Sequence, residues 1–382
     1  MKRILFALSA AALLTLSACG SGAGGSGGSP GKGTTPGISQ NTDTDDRNGQ
    51  DNSEGPNGPV TTGQGSNNGK NDKDGGNSMD NAQFKALFEG LKLSQAYKGY
   101  KEANPIMVQT YGADPCAMVY KDRVYIYMTA DTYEYDADGN IKDNGYGLIK
   151  SIRVVSTDDF VNYTDHGSIN VAGPNGACKW AHNSWAPTAA WKNIDGVDRF
   201  FLYFADSGNG IGVLTSDSPA GPFTDEIGHA LVNRSVENCA NITWLFDPAV
   251  LVDDDGTGYL YFGGGVPQGQ APHPQTARCV RLGKDMMSLD CTPITIDPPY
   301  LFEDSGIHKY NGKYYYSYCT NWNVDEAGTA EYGFANGEIA VMVSDSPLGP
   351  FTYQERVLRN PGTVCGLYGN NHHSIFAFKD KW

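Results

Sequence analysis

Phe246–Phe262 reads FDPAVLVDDDGTGYLYF, and Phe302–Tyr318 reads FEDSGIHKYNGKYYYSY. Superposed, the two stretches need almost no gaps. Each opens on an aromatic and an acid, runs through a short β-prone segment to a polar turn, and returns as an aromatic strand. The turn residues, Asp253-Asp254-Asp255-Gly256 in one and Asn311-Gly312 in the other, mark hairpins. Ala113–Tyr127 (ADPCAMVYKDRVYIY) fits the same frame, and so does Trp185–Asn193 (WAPTAAWKN), followed after a longer turn by Phe200–Phe204 (FFLYF). Asn371–Trp382 (NHHSIFAFKDKW) is a fifth copy. A second signature recurs at Ser216–Thr224 (SDSPAGPFT) and Ser344–Thr352 (SDSPLGPFT), with a degenerate version at Ser156–Thr164 (STDDFVNYT).

The second position of the five copies is Asp114, Ala186, Asp247, Glu303 and His372, at intervals of 56 to 72 residues. Each interval has room for four short strands, the period of a propeller blade. The expected fold is therefore all-β, a five-bladed β-propeller in which these five positions ring one end of the axis. Ten residues follow His372. The fifth blade is thus expected to be truncated at the C-terminus, with one inner strand over Ser374–Phe378, and the chain to be part of a longer product. Closure by a strand from residues 99–112 is the alternative. Past residue 100 no segment shows a helical period, and residues 81–98 are expected to hold one short helix.

Before the repeats the chain changes character. Lys2-Arg3 and the apolar run Ile4–Leu16, ending in Leu16-Ser17-Ala18-Cys19, read as a signal peptide over residues 1–19 with a bacterial lipobox, Cys19 being the lipidation site. Residues 20–80 contain no aromatic residue and are dominated by Gly, Ser, Asn and Asp. They cannot bury enough apolar surface to offset ordering, so a flexible tether is expected. Residues 81–382 form the folded domain. The chain would be lipid-anchored, at the bacterial cell surface or envelope, with the anchor as its only membrane contact.

The net charge of −15 disfavours nucleic acid, which requires a basic footprint. The 22 Tyr, 15 Phe and 6 Trp are too many rings for a disordered chain. No cysteine pair has CxxC spacing, which argues against zinc or redox motifs. In an exported protein, Cys178 with Cys239 and Cys279 with Cys291 are candidate disulfides, buried thiols being the alternative.

The chemistry lies in Asp114, Asp247 and Glu303. Carboxylates crowded together cannot all ionise cheaply, so one is forced toward the protonated form. A general acid and a general base of one active site differ in this way.

With these motifs in their order (ADP, WAP, FDPAVLVDDDG, FEDSGIHKYNG and SDSPxGPF), residues 105–382 resemble glycoside hydrolase family 43. The resemblance implies a five-bladed propeller that cleaves glycosidic bonds with inversion. Asp114 would be the general base, Glu303 the general acid and Asp247 the residue that tunes the acid. Trp185 and Phe246 would line the sugar subsite. His372 would sit beside a metal ion on the axis, calcium being expected, with no organic cofactor. Trp322, in the insertion 321–337, is a candidate to stack on a polymer sugar, a loop anchor being the alternative. The implied substrate is a plant cell-wall polysaccharide, with terminal or side-chain α-L-arabinofuranosyl or β-xylosyl units removed from arabinoxylan. An endo-arabinanase of the same fold and a noncatalytic sugar-binding lipoprotein are the rival readings. Fructan-cleaving propellers would need Arg-Asp-Pro where Phe246-Asp247-Pro248 stands, and the sialidase Ser-x-Asp-x-Gly-x-x-Trp box is missing from the sequence.

Overall fold

The structure, a computed structural model, describes residues 81–86, 89–90, 105–142, 145–366 and 368–382. The signal segment, Cys19 and the tether lie outside the described residues. Among the described residues no helix is long and apolar enough to cross a membrane.

Among the described residues sixteen strands form four antiparallel sheets, each of four strands paired in chain order. The first holds β1 (Ala113–Tyr120), β2 (Arg123–Thr129), β3 (Ser151–Thr157) and β4 (Thr164–Asn170). The second holds β5 (Trp185–Ile194), β6 (Val197–Ala205), β7 (Gly210–Ser216) and β8 (Val232–Asn233). The third holds β9 (Ala249–Val252), β10 (Gly258–Phe262), β11 (Ala277–Arg281) and β12 (Ile294–Ile296). The fourth holds β13 (Leu301–Tyr310), β14 (Lys313–Thr320), β15 (Ile339–Ser344) and β16 (Thr352–Leu358). This is an all-β propeller. The helices are short: α1 (Asn81–Ala86), α2 (Glu326–Tyr332), α3 (Gly362–Cys365) and a 3-10 turn at Tyr146–Leu148. The strand-only expectation past residue 100 missed α2 and α3. Helix α2 is held by its ends, with the Asp325 carboxylate accepting from Gly328 N and Gly333 closing it in the left-handed region. That local chemistry leaves no periodic signature.

The aromatic runs exist because the second strand of a blade is buried on both faces. In β6, Phe200, Leu202 and Phe204 pack toward the first sheet with Tyr127 and Val154, while Phe201 and Tyr203 pack toward the third with Leu260 and Phe262. In β10, Tyr259 and Tyr261 turn the other way, to Tyr316 and Tyr318 of β14. Period-two alternation with both faces apolar gives continuous hydrophobic runs. The SDSPxGPF signature joins neighbouring blades. The Tyr127 hydroxyl donates to Pro219 O and the Tyr261 hydroxyl to Pro347 O, both at 2.5 Å.

The fifth copy departs from expectation. Residues 371–382 form no strand over Ser374–Phe378, and their one bridge is Phe378 to Lys381. Residues 105–112 form no strand either. A strand requires a partner backbone, and side chains hold this segment instead. Phe376 and Phe378 pack on Phe160 of the first blade, and Lys379 donates to Asp158 O. On the other side Trp382 packs against His308 and Tyr310 of the fourth. The segment lies between those two sheets.

The disulfide expectations are also overturned. Cys178, Cys239, Cys279 and Cys291 are free thiols. Cys178 and Cys239 belong to different interblade cores, on opposite sides of the second sheet, so their matching places in the repeat keep them apart. Cys291 accepts from Arg281 N, while Cys279 is fully buried and points to Leu348 O.

Candidate active site

The inner strands begin with an irregularity that aims side chains at the axis. Pairing slips between Ala113 and Cys116, between Trp185 and Thr188, and between Glu303 and Gly306. Inside those slips Asp114, Ala186 and Asp304 have positive φ (51°, 40° and 65°), as does Asp247 before β9 (48°). Non-glycine residues seldom sit there, and such strain persists where surroundings enforce it. A bulge re-aims the side chain it carries.

This geometry corrects the frame. The residue equivalent to Asp114 and Asp247 in the fourth blade is Asp304, and Glu303 stands one place earlier, with Trp185 and Phe246. The reason is the length of the hairpin path. The hairpin after β9 spans Asp253–Thr257 and that after β13 only Asn311-Gly312, but the strands of the latter pair further. Tyr261 stands twelve residues after its partner Ala249 and Ser317 eleven after Gly306, so the offset between the two blades changes by one residue across the hairpin. Alignment on the strands after the turn put Glu303 level with Asp247. The first blade does signal it: β1 and β13 both turn on two residues, Lys121-Asp122 and Asn311-Gly312, and superposed on those turns Asp304 falls level with Asp114.

The carboxylates converge on His372. Its Nδ1 lies 3.4 Å from Asp114 Oδ1 and 3.5 Å from Asp304 Oδ1, and its Nε2 lies 3.6 Å from Asp247 Oδ2. Ligand atoms of Asp247, Glu303 and His372 fall within 4.8 Å of one another. Thr129 Oγ1 donates to Asp114 Oδ2 (2.6 Å) and accepts from Ala186 N (2.8 Å), so one hydroxyl ties the carboxylate to the next blade. The Asp304 amide donates to Asp247 Oδ2 at 2.9 Å.

Glu303 is buried, and its Oε1 has no partner. Burial pushes its pKa up to about 8; His372 opposes, and Asp247 adds more to the rise than Asp114 or Asp304. Burial likewise raises Asp247, with His372 opposing. Burial alone would lower the His372 imidazole, but Asp114, Asp304, Asp247 and Glu303 together hold it up at about 10.

Beneath this cluster a cavity of about 90 Å³ follows the axis between the inner strands. His373 lies on its wall, with Nδ1 donating to Asp304 Oδ2 at 2.5 Å and Nε2 paired with Ser317 Oγ at 2.6 Å. Gly306 is glycine for this reason, since a Cβ there would stand 2.5 Å from Ser317 Oγ and 2.9 Å from His373 Nε2. The sequence reading missed Asp304, His373 and Thr129. The first two directly follow residues it chose.

Of the other expected residues, Trp185 is half-buried one residue before Ala186, its Nε1 donating to Tyr146 O. Phe246 is buried, with its ring against Trp244. Trp322 is half-buried, and its ring covers Gly337 so closely that a Cβ there would lie 2.4 Å away. It does not line the axial cavity, and its packing favours the loop-anchor reading.

An all-β propeller that gathers four carboxylates round one imidazole, with one acid held protonated near neutrality, has the equipment of a carboxylate-pair hydrolase. The profile of glycosyl hydrolases family 43 matches residues 102–382, and the chain belongs to that family. It is 57% identical over 290 residues to an arabinoxylan arabinofuranohydrolase of Paenibacillus polymyxa, covering 73% of this chain and 45% of that protein. It is 55% identical to an arabinoxylan arabinofuranohydrolase of Bacillus subtilis (strain 168), covering 73% and 56%. The crystal structure of a family 43 arabinoxylan arabinofuranohydrolase from Bacillus subtilis in complex with cellotetraose superposes with a TM-score of 0.70 at 54% identity, over 73% of this chain and 59% of that one. The chain spans about half the length of the curated relatives it matches.

Proposed function

We propose that the protein is an inverting glycosidase that removes α-L-arabinofuranosyl side chains from arabinoxylan. The observation that carries this is Glu303, a buried carboxyl with a partnerless oxygen and a pKa raised to about 8, next to Asp247 and in one cluster with Asp114. Two relatives more than half identical to the chain are arabinoxylan arabinofuranohydrolases, which supports this substrate class over linear arabinan.

In this reading Asp114, oriented by Thr129, takes a proton from a water as that water's oxygen bonds to the anomeric carbon. Glu303 gives its proton to the leaving oxygen as the glycosidic C–O bond breaks. Burial keeps Glu303 protonated beforehand, with Asp247 adding to the rise, and Asp247 is itself held by the Asp304 amide. Trp185 and Phe246 provide ring faces for the sugar. The attack comes from the side opposite the leaving group, so configuration inverts.

Calcium on the axis belongs to the same reading. The donor set suits a cation in charge, with carboxylates of Asp114, Asp247 and Asp304 all near His372. His372 would hold it with oxygens of those three, and Glu303 would keep its proton. When bound, the ion would supply countercharge to the carboxylates. Five blades are also part of the proposal, residues 371–382 supplying the inner edge of the fifth. So is a lipid anchor at Cys19, supported by the residues around it, which would hold the enzyme at the outside of a bacterial envelope.

The test is product release from arabinoxylan, linear xylan and linear arabinan, with the anomeric proton followed by NMR. Arabinose released from arabinoxylan alone, first appearing with inverted configuration, is the expected result; retention overturns the mechanism. Glu303→Gln and Asp114→Asn should each lower kcat by about 10²–10⁴-fold.

A further inference from the structure

The connection from β2 to β3 leaves the site at Thr129 and returns at Ser151, and it is built as a braced hairpin. Tyr135 bridges Ile141, Lys142 N donates to Glu134 O, and the Asp136 carboxylate accepts from the amides of Asp138 and Asn140. On this scaffold stand Tyr133, Tyr135 and Tyr146, joined by Tyr111 from the segment before β1. The Tyr111 and Tyr133 rings meet at 4.3 Å. Tyr111, Tyr135 and Tyr146 are 49%, 58% and 51% exposed, and Ile141, bridged to Tyr135, is 51% exposed. Large apolar side chains left this open at one place mark an interaction surface.

The group begins beside Trp185, the residue next to Ala186 of the axial ring. Tyr146 packs edge-on to Trp185 at 6.1 Å, and its carbonyl accepts from both Trp185 Nε1 and Asn183 Nδ2. Burial raises the pKa of its hydroxyl, and the charges of Glu303, Asp131 and Asp114 add to the rise. Tyr133 packs on Tyr111 and stands two residues before Tyr135, so the connection that carries this aromatic group is the one that meets Trp185 through Tyr146.

The charges around them narrow the partner. Asp131, Glu134, Asp136 and Asp138 border the row, and its lysine, Lys142, is paired with Glu134 at 3.8 Å. Such a border repels anionic polymers and anionic lipid. It suits a neutral ligand with flat apolar faces and hydroxyl edges, as a sugar ring has, because tyrosine offers a ring to stack on and a hydroxyl to hydrogen-bond.

We infer that Tyr111, Tyr133, Tyr135 and Tyr146 form a platform for the main chain of a neutral polysaccharide whose side-chain sugar occupies the catalytic pocket. This rests on the function proposed above and adds where the polymer lies. The occupant is continuous with the pocket, since a branched chain with one sugar at Glu303 must leave the site across a neighbouring rim.

Tyr111→Ala, Tyr135→Ala and the double variant, in the full chain, test it. KM for arabinoxylan should rise about five- to tenfold per aromatic removed. Neither kcat nor KM should change for 4-nitrophenyl α-L-arabinofuranoside, which is too small to reach the row. Retardation in gels containing debranched xylan should weaken in parallel. Equal KM for polymer in all variants, or parallel losses on polymer and aryl glycoside, overturns the platform. So does a variant-dependent change in sedimentation with unaltered polymer binding, which would make the row a self-association surface. If wild type cleaves no pentoside yet xylan retards it through these tyrosines, the platform stands and the catalytic reading fails.

Discussion

The Thr129 hydroxyl is donor to Asp114 and acceptor for Ala186 N at once. Thr129→Val keeps the shape and removes both bonds. A hydrogen bond to a charged group contributes about 1.5–3 kcal/mol, so kcat/KM should fall about ten- to a hundredfold, while Thr129→Ser should stay close to wild type. A serine variant as impaired as the valine one would show that the hydroxyl is not what counts. Glu303 makes a second prediction. Its folded pKa lies above that of an exposed glutamate, so ionising it costs folded-state stability as pH rises from about 4.5 to about 8. Glu303→Gln should therefore melt at the same temperature as wild type near pH 4 and higher than wild type at pH 8, although it is inactive. In wild type, kcat/KM should fall tenfold per pH unit above about 8, because the acid is then spent. Scanning calorimetry and a pH–rate profile check the pair.

Among the elements, the SDSPxGPF turns hold neighbouring blades at their edges. Tyr127→Phe and Tyr261→Phe each leave a proline carbonyl without its buried donor, a loss of about 1–3 kcal/mol. Urea unfolding should show similar losses for both, with activity below the transition unchanged. If only one destabilises, the two turns are not equivalent joints. This repeated joint was legible in the sequence because its residues recur as a string. So were the second strands, since burial on both faces writes a continuous aromatic run. Asp304 was passed over because the fourth blade was matched to the third, whose hairpin path is one residue longer, and not to the first. His373 lies in a segment without strand pairing, so no pattern marks it. The cysteines misled for a related reason: equal places in successive blades are separated by a sheet, and repetition places residues apart as readily as together.

At the scale of the molecule, closure depends on the seam where residues 371–382 lie between the fourth and first sheets. The interblade cores among the first four sheets are large and aromatic, whereas the fourth sheet's outer face offers a small cluster of Tyr315, Val341 and Val343 with Tyr310. His308 sits at this seam. Its ring stacks on Tyr315 at 5.0 Å and meets Trp382 at 5.3 Å, and its Nδ1 is buried without a partner. Burial, aided by the charge of His373, holds its pKa down to about 3. An unfolded histidine titrates near 6.5, so between about pH 6.5 and 3 the unfolded chain binds the extra proton. The stability His308 contributes is complete above pH 6.5 and is lost as pH falls, by at most about 1.4 kcal/mol per pH unit. His308→Gln removes the titration and keeps a polar side chain of similar reach. Urea unfolding of wild type and variant from pH 7 to 4 should show wild-type stability falling more steeply, with the difference confined to pH below about 6.5. Parallel curves would mean that His308 reaches solvent when charged, and that the seam opens to admit water without unfolding the ring.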